Sequence, residues 1–222
     1  SAIRMVSSRL PFLSGEQFDF VIHAAGYGQP AKFMADPLGT LKVNTAGTLA
    51  MLSALKPGGK FLFLSSSEIY SGAKAPHTED QIGTTDPSHP RSCYIEGKRA
   101  GEAIVNAARS KGIDAKSARV CLAYGPGVKL DDDRIMSIMI RQALTEKRIV
   151  LRNSGHDFRC YLYVDDAVDM LLNVLLYGQR AVYNIGGHDG WSCSIGELAG
   201  RIAQKTGVEA FVRLGETGLE GA

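Results

Sequence analysis

Tyr94 and Lys98 lie four residues apart in the stretch Tyr94-Ile-Glu-Gly-Lys98, which has a helical pattern. Residues at positions i and i+4 share one face of a helix, so the phenol and the ammonium are expected to face the same space. A tyrosine is a poor base near neutral pH, because its ordinary pKa is about 10. Lowering that pKa to about 7 requires roughly 4 kcal/mol of preferential stabilisation of the phenolate. A nearby cation supplies part of it. The pair could therefore accept the proton of an alcohol that loses hydride.

A strand end rich in hydroxyl groups comes before this pair. The run Lys60-Phe-Leu-Phe-Leu-Ser65 predicts a buried strand that delivers Ser66, Ser67 and Glu68 to its carboxyl end. Open α/β sheets bind ligands in the crevice beyond the carboxyl ends of their strands. These side chains are therefore expected beside Tyr94 and Lys98, which makes the pattern more specific than a Tyr-x-x-x-Lys spacing alone.

The elements that position these residues follow from the hydrophobic pattern. Short apolar runs between turns predict strands at 18–25, 60–65, 115–123, 149–152, 159–164, 182–185 and 208–214. Capping signals and helical periodicity predict five helices. The first runs from Asp36-Pro37 to residue 55 and is followed by Gly58-Gly59, and the second contains Tyr94 and runs to residue 111. The others cover 134–147, run from Asp165-Asp166 to residue 176, and begin at the capping box Ser194-Ile-Gly-Glu197. This alternation predicts an α/β fold with a doubly wound parallel sheet of the Rossmann type.

One part of such a fold is absent from the printed sequence. A dinucleotide-binding domain begins with a βαβ unit that has a glycine-rich turn after its first strand. No such turn precedes Phe18. Either the sequence begins inside a longer protein, which we expect, or the chain cannot hold a pyrophosphate in the usual way. The predicted domains are a Rossmann-type dinucleotide-binding domain over 1–123, without its N-terminal part, and a smaller substrate-binding lobe over 124–222. Residues 160–187 of the second range are expected to return to the first domain.

The composition of the chain argues against nucleic-acid and membrane partners. The net charge is only +2 and no long basic run occurs, which argues against nucleic-acid binding. No apolar run approaches the ~18 residues of a membrane span, and no signal peptide is visible. These features predict a cytoplasmic protein without a membrane partner.

No metal site is expected either. The acidic triplet Asp131-Asp-Asp133 is interpreted as a helix start, because no second ligand cluster accompanies it. The cysteines lack metal-ligand spacing and are expected to be reduced thiols; they are Cys93, Cys121, Cys160 and Cys193.

Six patterns then occur in a familiar order. They are Val21-Ile-His-Ala-Ala-Gly26, Asn44-Thr-Ala-Gly47, Ser65-Ser-Ser-Glu-Ile-Tyr70, Tyr94-x-x-x-Lys98, Ala118-Arg-Val120 with Tyr124-Gly-Pro126, and Arg159 with Val164-Asp-Asp166. In this order and spacing the chain resembles the extended short-chain dehydrogenases, the NAD-dependent nucleotide-sugar epimerase/dehydratase family.

The resemblance implies a bound NAD and a nucleotide-sugar substrate that is oxidised at carbon 4. It implies that Tyr94 is the base, that Lys98 holds the nicotinamide ribose and lowers the tyrosine pKa, and that Ser66 hydrogen-bonds the reacting hydroxyl. Ser67, Glu68 and Arg159 would contact the substrate. The cofactor would be lined by Ala24, Ala25, Gly26, Asn44, Ser65 and Ala123. The family also implies a homodimer formed through the helix that carries the Tyr-Lys pair, and a role in polysaccharide biosynthesis.

The reaction after oxidation depends on Ser67 and Glu68. The 4,6-dehydratases of the family have an Asp-Glu pair here, and serine is a poor general acid, so dehydration is less favoured. A Ser-Glu pair with Arg159-Cys160 is most similar to UDP-glucuronate decarboxylases, in which the ketone at carbon 4 makes the substrate a β-keto acid. Glu68 and Arg159 would then orient the sugar and manage the proton returned to carbon 5. A nucleotide-sugar 4-epimerase or 4,6-dehydratase is the alternative.

Two positions depart from the family pattern. Leu122 stands where an asparagine usually contacts the substrate phosphates, and Gly127 stands where an arginine is common. These departures leave two further hypotheses open. One is a non-catalytic relative that binds a dinucleotide without turnover, and the other is a dehydrogenase of a different small hydroxylated molecule.

Overall fold

A computed structural model describes residues 15–129, 131–187 and 192–212. These residues form two compact units. The first contains the described residues up to Cys121 together with Asp165–Ile185, and the second contains Leu122–Val164 and the described residues from Gly186 onward. The chain thus leaves the first unit after Cys121 and returns to it at Asp165.

The elements are numbered in chain order. The strands are β1 (Phe18–His23), β2 (Leu55–Ser66), β3 (Asp114–Val120), β4 (Leu122–Tyr124), β5 (Arg148–Leu151), β6 (Phe158–Tyr163), β7 (Val182–Ile185), β8 (Ser192–Ser194) and β9 (Glu209–Val212). The helices are α1 (Pro30–Ala35), α2 (Pro37–Asn44), α3 (Ala46–Ser53), α4 (Ser92–Ser110), α5 (Ile135–Thr145), α6 (Val164–Tyr177) and α7 (Ile195–Thr206). A short 3₁₀ helix, Ser67–Tyr70, follows β2.

A parallel sheet organises the first unit, and the described strands pair in the order β1-β2-β3-β7. Phe61, Leu62 and Phe63 of β2 are completely buried, as expected for a parallel strand covered on both faces. Because the strands are parallel, the carboxyl ends of β1, β2 and β3 meet at one edge of the sheet. The predicted α/β fold with a parallel Rossmann-type sheet is confirmed.

Helix α4 is amphipathic and packs closely on β2. Its buried residues follow helical spacing and form one stripe; they include Tyr94, Ile95, Lys98, Gly101, Glu102 and Val105. A Cβ atom at Gly101 would overlap the Phe63 ring and lie 3.0 Å from the Asn44 carbonyl oxygen. Glycine at this position therefore sets how closely the helix approaches the sheet.

Replacing Gly101 by alanine is expected to destabilise the protein by about 1–3 kcal/mol, because the added methyl group overpacks the contact with Phe63. Alanine is otherwise favoured over glycine inside a helix by about 1 kcal/mol. Gly200 of α7 is the matched control, since a Cβ there meets no described atom within 4 Å, and Gly200→Ala should stabilise. Urea unfolding measures both; stabilisation by both substitutions would contradict the close approach.

The first predicted helix differs from the structure. The Asp36 carboxylate accepts a hydrogen bond from the Gly39 amide at 2.9 Å, so the predicted cap is confirmed. The helix from this cap to residue 55 is wrong, because α2 and α3 are separated at Thr45 and α1 precedes them. The Thr45 hydroxyl donates to the Leu41 carbonyl at 2.8 Å, a local bond of the kind that competes with regular helix.

Several predicted strand boundaries also differ, and the largest differences concern β2 and the predicted strand 115–123. Strand β2 begins at Leu55 and so includes Gly58 and Gly59, which were expected to precede it. Residues 115–123, predicted as one strand, belong to β3 and β4 in separate sheets. The Cys121 amide between them donates to the Ile185 carbonyl at 2.9 Å, and after it the chain enters the second unit.

The second unit contains β4, β6 and β8 in one sheet and β5 paired with β9 in another. The predicted capping box is confirmed, since the Ser194 side chain accepts from the Glu197 amide and the Glu197 carboxylate accepts from the Ser194 amide. The helix predicted after the acidic triplet is α5, and Asp132 is ion-paired with Arg134. The last predicted strand is β9, and residues 213–214 of that prediction lie outside the described residues.

The described residues contain no group of three or more His, Cys, Asp or Glu side chains that could hold a metal ion. Within the same ranges, no helix is long and apolar enough to cross a membrane.

Candidate active site

Tyr94 and Lys98 lie on one face of the first turns of α4. Their exposed fractions are 8% and 6%. The Lys98 Nζ atom is 5.7 Å from the centre of the Tyr94 ring and donates a hydrogen bond of 2.7 Å to the Leu64 carbonyl of β2. The ammonium is thus held between the helix and the end of the central strand, beside the phenol.

Ser66 joins this pair from the end of β2. Its hydroxyl acts on the Tyr94 phenol by lowering the phenol's pKa, and it accepts a hydrogen bond from the Glu68 amide at 3.2 Å. The second bond makes Ser66 the N-cap of the 3₁₀ helix that carries Ser67 and Glu68. The structure therefore brings together Tyr94, Lys98, Ser66 and Glu68, as the sequence predicted for the strand end and the helix.

The pKa of Tyr94 is raised above its ordinary value of 10.0, chiefly because the phenol is buried. The Ser66 side chain and the charge of Arg91 act to lower this pKa, and the carboxylate of Glu68 acts to raise it further. The expectation that Lys98 lowers the tyrosine pKa stays a prediction.

Burial lowers the pKa of Lys98 from 10.5 to about 8, with the Glu102 carboxylate opposing that shift. At pH 7 the ammonium is therefore still protonated but is costly to bury. Below pH 8 the lysine is charged in both the folded and the unfolded chain, so the folded state bears the full desolvation cost of the buried ammonium. Between pH 8 and 10.5 the folded state loses its proton first, so this group makes stability rise with pH.

Lys98→Met is expected to stabilise the fold at pH 7 by about 1–3 kcal/mol, because it removes a buried charge while keeping an unbranched side chain. The gain should shrink as the pH rises toward 10. Urea unfolding at pH 7 and 9.5 measures both values, and Lys74→Met at an exposed position is the control. A destabilised Lys98→Met protein at pH 7 would show that the Leu64 hydrogen bond outweighs the desolvation cost.

Apart from Ala123, the further residues predicted to line a cofactor belong to the first unit. Ala24, Ala25 and Gly26 follow β1, and Gly26 has a φ of +119°, in the left-handed region that favours glycine. Asn44 and Ser65 are buried, and among the described residues neither the Asn44 Oδ1 atom nor the Ser65 Oγ atom has a hydrogen-bond partner. Buried polar atoms without a partner are rare and costly, so a further hydrogen-bond partner is expected for these two atoms.

His23 precedes these residues and has a structural role. Its Nε2 atom lies 3.1 Å from the Val43 carbonyl oxygen, and burial lowers the pKa of the imidazole. These contacts make His23 a packed residue of β1.

Two predicted site residues belong to the second unit. Ala123 is in β4, and Arg159 is in β6. The Arg159 guanidinium is about half exposed, donates to the Phe158 carbonyl at 2.8 Å and lies 3.6 Å from the Asp157 carboxylate. The structure thus pairs Arg159 with Asp157. The roles of Ala123 and Arg159 stay predictions.

The structure adds two residues that the sequence did not single out. The Phe33 ring of α1 stacks on Tyr94 with 4.6 Å between ring centres and 12° between planes. An Arg91 Nη2 atom lies 2.8 Å from a Glu68 carboxylate oxygen. Arg91 could have been found from its spacing, three residues before Tyr94 at the start of the same helix. Phe33 gave no such signal, because α1 was not predicted.

Comparison with known proteins agrees with this geometry. Residues 4–186 match the NAD dependent epimerase/dehydratase family, and the chain belongs to that family. The family is NAD dependent, as the resemblance implied.

The chain is 34% identical over 173 residues to UDP-glucuronic acid decarboxylase 1 of Xenopus tropicalis, a match that covers 77% of this chain and 41% of that protein. The structure of RMD from Pseudomonas aeruginosa complexed with NADPH is 31% identical, with a TM-score of 0.74, covering 89% of this chain and 67% of that one. UDP-glucose 4-epimerase from Thermotoga maritima with UDP-glucose is 25% identical, with a TM-score of 0.74, covering 89% and 65%. The chain therefore spans about two fifths of the curated relative it matches.

Proposed function

We propose that this chain carries the catalytic residues of an NAD-dependent enzyme that oxidises a nucleotide sugar at carbon 4, and that the reaction is the decarboxylation of UDP-glucuronate. The observation that carries the proposal is the position of Lys98, whose ammonium lies 5.7 Å from the centre of the Tyr94 ring and donates to the Leu64 carbonyl at the end of the strand that supplies Ser66. Two hydroxyl groups and one cation at the carboxyl end of a parallel strand form a site suited to removing a proton from an alcohol.

The residues of the first unit fit NAD. Lys98 would hold the nicotinamide ribose, and Ser65 and Asn44 would use their unpartnered oxygens on the cofactor. Ala24, Ala25 and Gly26 offer a surface without large side chains beyond β1, and Ala123 is the remaining residue that the family resemblance assigns to the cofactor. Bound by these residues, NAD would supply reversible hydride transfer at carbon 4.

Tyr94 would accept the proton of the carbon 4 hydroxyl while Ser66 holds that hydroxyl in place. The resulting ketone makes the sugar a β-keto acid. The bond between carbon 5 and carbon 6 then breaks, carbon dioxide leaves, and the electron pair is delocalised into the carbonyl group. Glu68 and Arg159 would orient the sugar and manage the proton that returns to carbon 5.

Ser67 supports decarboxylation over dehydration, since a serine cannot readily protonate a leaving hydroxyl. A nucleotide-sugar 4-epimerase or 4,6-dehydratase is the second candidate. Within it, the epimerase is supported by the 25% identity to a UDP-glucose 4-epimerase.

The two departures from the family pattern have structural explanations. Leu122 packs against the core of the second unit. Gly127 has a φ of +84°, a conformation that an arginine adopts only with strain. They therefore give little support to a non-catalytic protein.

The test is incubation of the purified protein and NAD with UDP-glucuronate, UDP-glucose, UDP-N-acetylglucosamine and dTDP-glucose, with products identified by mass. Loss of carbon dioxide from UDP-glucuronate is expected. Loss of water would indicate a dehydratase, an isobaric product would indicate an epimerase, and stoichiometric reduction of NAD would indicate a dehydrogenase. No change in any of the four substrates would contradict the proposal.

We further propose that the protein is cytoplasmic, acts in polysaccharide biosynthesis and forms a homodimer through α4 and its neighbour α2. Leu38 of α2 is 78% exposed and Leu49 of α3 is 57% exposed, which supports an apolar contact on this side of the first unit. Sedimentation velocity measures the oligomeric state.

A further inference from the structure

Arg91 has a position that fold stability does not explain. It is the N-cap residue of α4, where the partial positive charge of the helix N-terminus disfavours a cation. Its ion pair with Glu68 is about one-third exposed on both sides, and pairs of that kind contribute little to stability. Its Nε atom is buried without a hydrogen-bond partner among the described residues. The N-cap position, the weak ion pair and the unpartnered Nε atom together indicate that the Arg91 guanidinium has a functional role.

The contacts of Arg91 connect it to the reacting centre. The guanidinium carbon lies 5.8 Å from the centre of the Phe33 ring, and Phe33 stacks on Tyr94. Its partner Glu68 follows Ser66 by two residues and is tied to it through the amide hydrogen bond of 3.2 Å. Arg91 and Glu68 also act on Tyr94 with opposite signs, since the guanidinium lowers the pKa of the phenol and the carboxylate raises it. The pair therefore lies within electrostatic range of the atoms at which oxidation would occur.

The position of the sugar follows from Ser66 and Tyr94. If the carbon 4 hydroxyl lies between these two residues, a group on carbon 6 is only two carbon atoms away. Glu68 is then a near neighbour of that group. A carboxylate on carbon 6 would be repelled by an unpaired Glu68, whereas a neutral hydroxymethyl group would not be.

We propose that Arg91 is a specificity-determining residue that makes the site accept a sugar with a carboxylate on carbon 6. It does so by neutralising Glu68 and by presenting a cation to the substrate carboxylate. This inference rests on the proposed function and adds to it the residue that selects the charge of the sugar. Arg91 would also make the substrate bind more tightly than the product, because loss of carbon dioxide removes the anion that Arg91 attracts.

The experiment compares UDP-glucuronate with UDP-glucose, which share the nucleotide and differ at carbon 6. Binding of each to the NAD-loaded protein is measured by calorimetry for the wild type and for Arg91→Gln, Arg91→Lys and the double variant Arg91→Gln/Glu68→Gln. We expect Arg91→Gln to weaken UDP-glucuronate binding by about tenfold or more and UDP-glucose binding by less than about threefold. Arg91→Lys should keep most of the preference, and the double variant should recover part of it, since the unpaired carboxylate is gone.

The matched control is Lys56→Gln, which removes another cation from an exposed ion pair, that with Asp19. It should change neither affinity. Equal weakening of both ligands by Arg91→Gln, or no weakening of either, would overturn the role of Arg91 while leaving the proposed function in place. A wild-type protein that binds neither nucleotide sugar would overturn both. Circular dichroism of each variant verifies that the fold is retained.

Discussion

With phenylalanine in place of Tyr94, the turnover rate on the nucleotide sugar is expected to fall by about 10²–10⁴-fold, the usual contribution of a general base. The ring would still stack on Phe33, so the packing around α4 should survive. What is lost is the phenol oxygen that would accept the proton. Stopped-flow measurement of NAD reduction isolates this step from product release.

The control for this substitution is Tyr177→Phe, at a tyrosine that is 71% exposed at the end of α6. Its rate should equal that of the wild type. A Tyr94→Phe protein with normal turnover would rule out the proposed base. A wild-type protein that binds NAD with the same affinity as Tyr94→Phe but turns over no substrate would favour the non-catalytic relative.

Glu102→Gln is expected to destabilise the protein by about 3–5 kcal/mol, because it leaves the buried Arg119 guanidinium without its counter-charge. Arg119 lies 2.9 Å from the Glu102 carboxylate, and both side chains are almost completely buried. The same guanidinium donates to the Tyr70 hydroxyl at 2.7 Å and to the carbonyls of Glu79 and Gln81 at 2.9 and 3.2 Å. One ion pair therefore joins α4, β3, the 3₁₀ helix and the loop after it.

Urea unfolding at pH 7 measures this loss. The control is Asp19→Asn, which breaks the exposed ion pair with Lys56 at 2.9 Å and should cost less than about 1 kcal/mol. Equal effects of the two substitutions would mean that water or a rearranged side chain compensates Arg119. The Glu102 variant should also lower the pKa of Lys98 further, since Glu102 opposes the effect of burial on that lysine.

Residues whose environment is set by near neighbours in sequence were predictable. The Tyr94–Lys98 face follows from helical spacing, the Asp36 and Ser194 caps follow from short-range capping rules, and the buried β2 follows from its apolar run. These signals were enough to predict the parallel α/β fold and the cluster at the end of β2.

The remaining features depend on partners far apart in the sequence. Arg119 meets Tyr70 across 49 residues and Glu102 across 17, and no local pattern indicates either contact. The break at Cys121 depends on pairing with Ile185, and the separation of α2 from α3 depends on hydrogen bonds of the Thr45 side chain and backbone. The effect of burial on the pKa of Tyr94 was not predictable from the spacing, because burial depends on packing against residues far away in the sequence, such as Phe33.

The unpartnered oxygens of Asn44 and Ser65 have a thermodynamic consequence. Each carries a desolvation cost of about 1–3 kcal/mol, and the folded chain bears that cost for as long as nothing bonds to them. A molecule that donates to or accepts from these atoms recovers the lost free energy as affinity. If the dinucleotide proposed above is that molecule, its affinity and the stability that it adds to the folded chain are the same free energy, measured once by binding and once by unfolding.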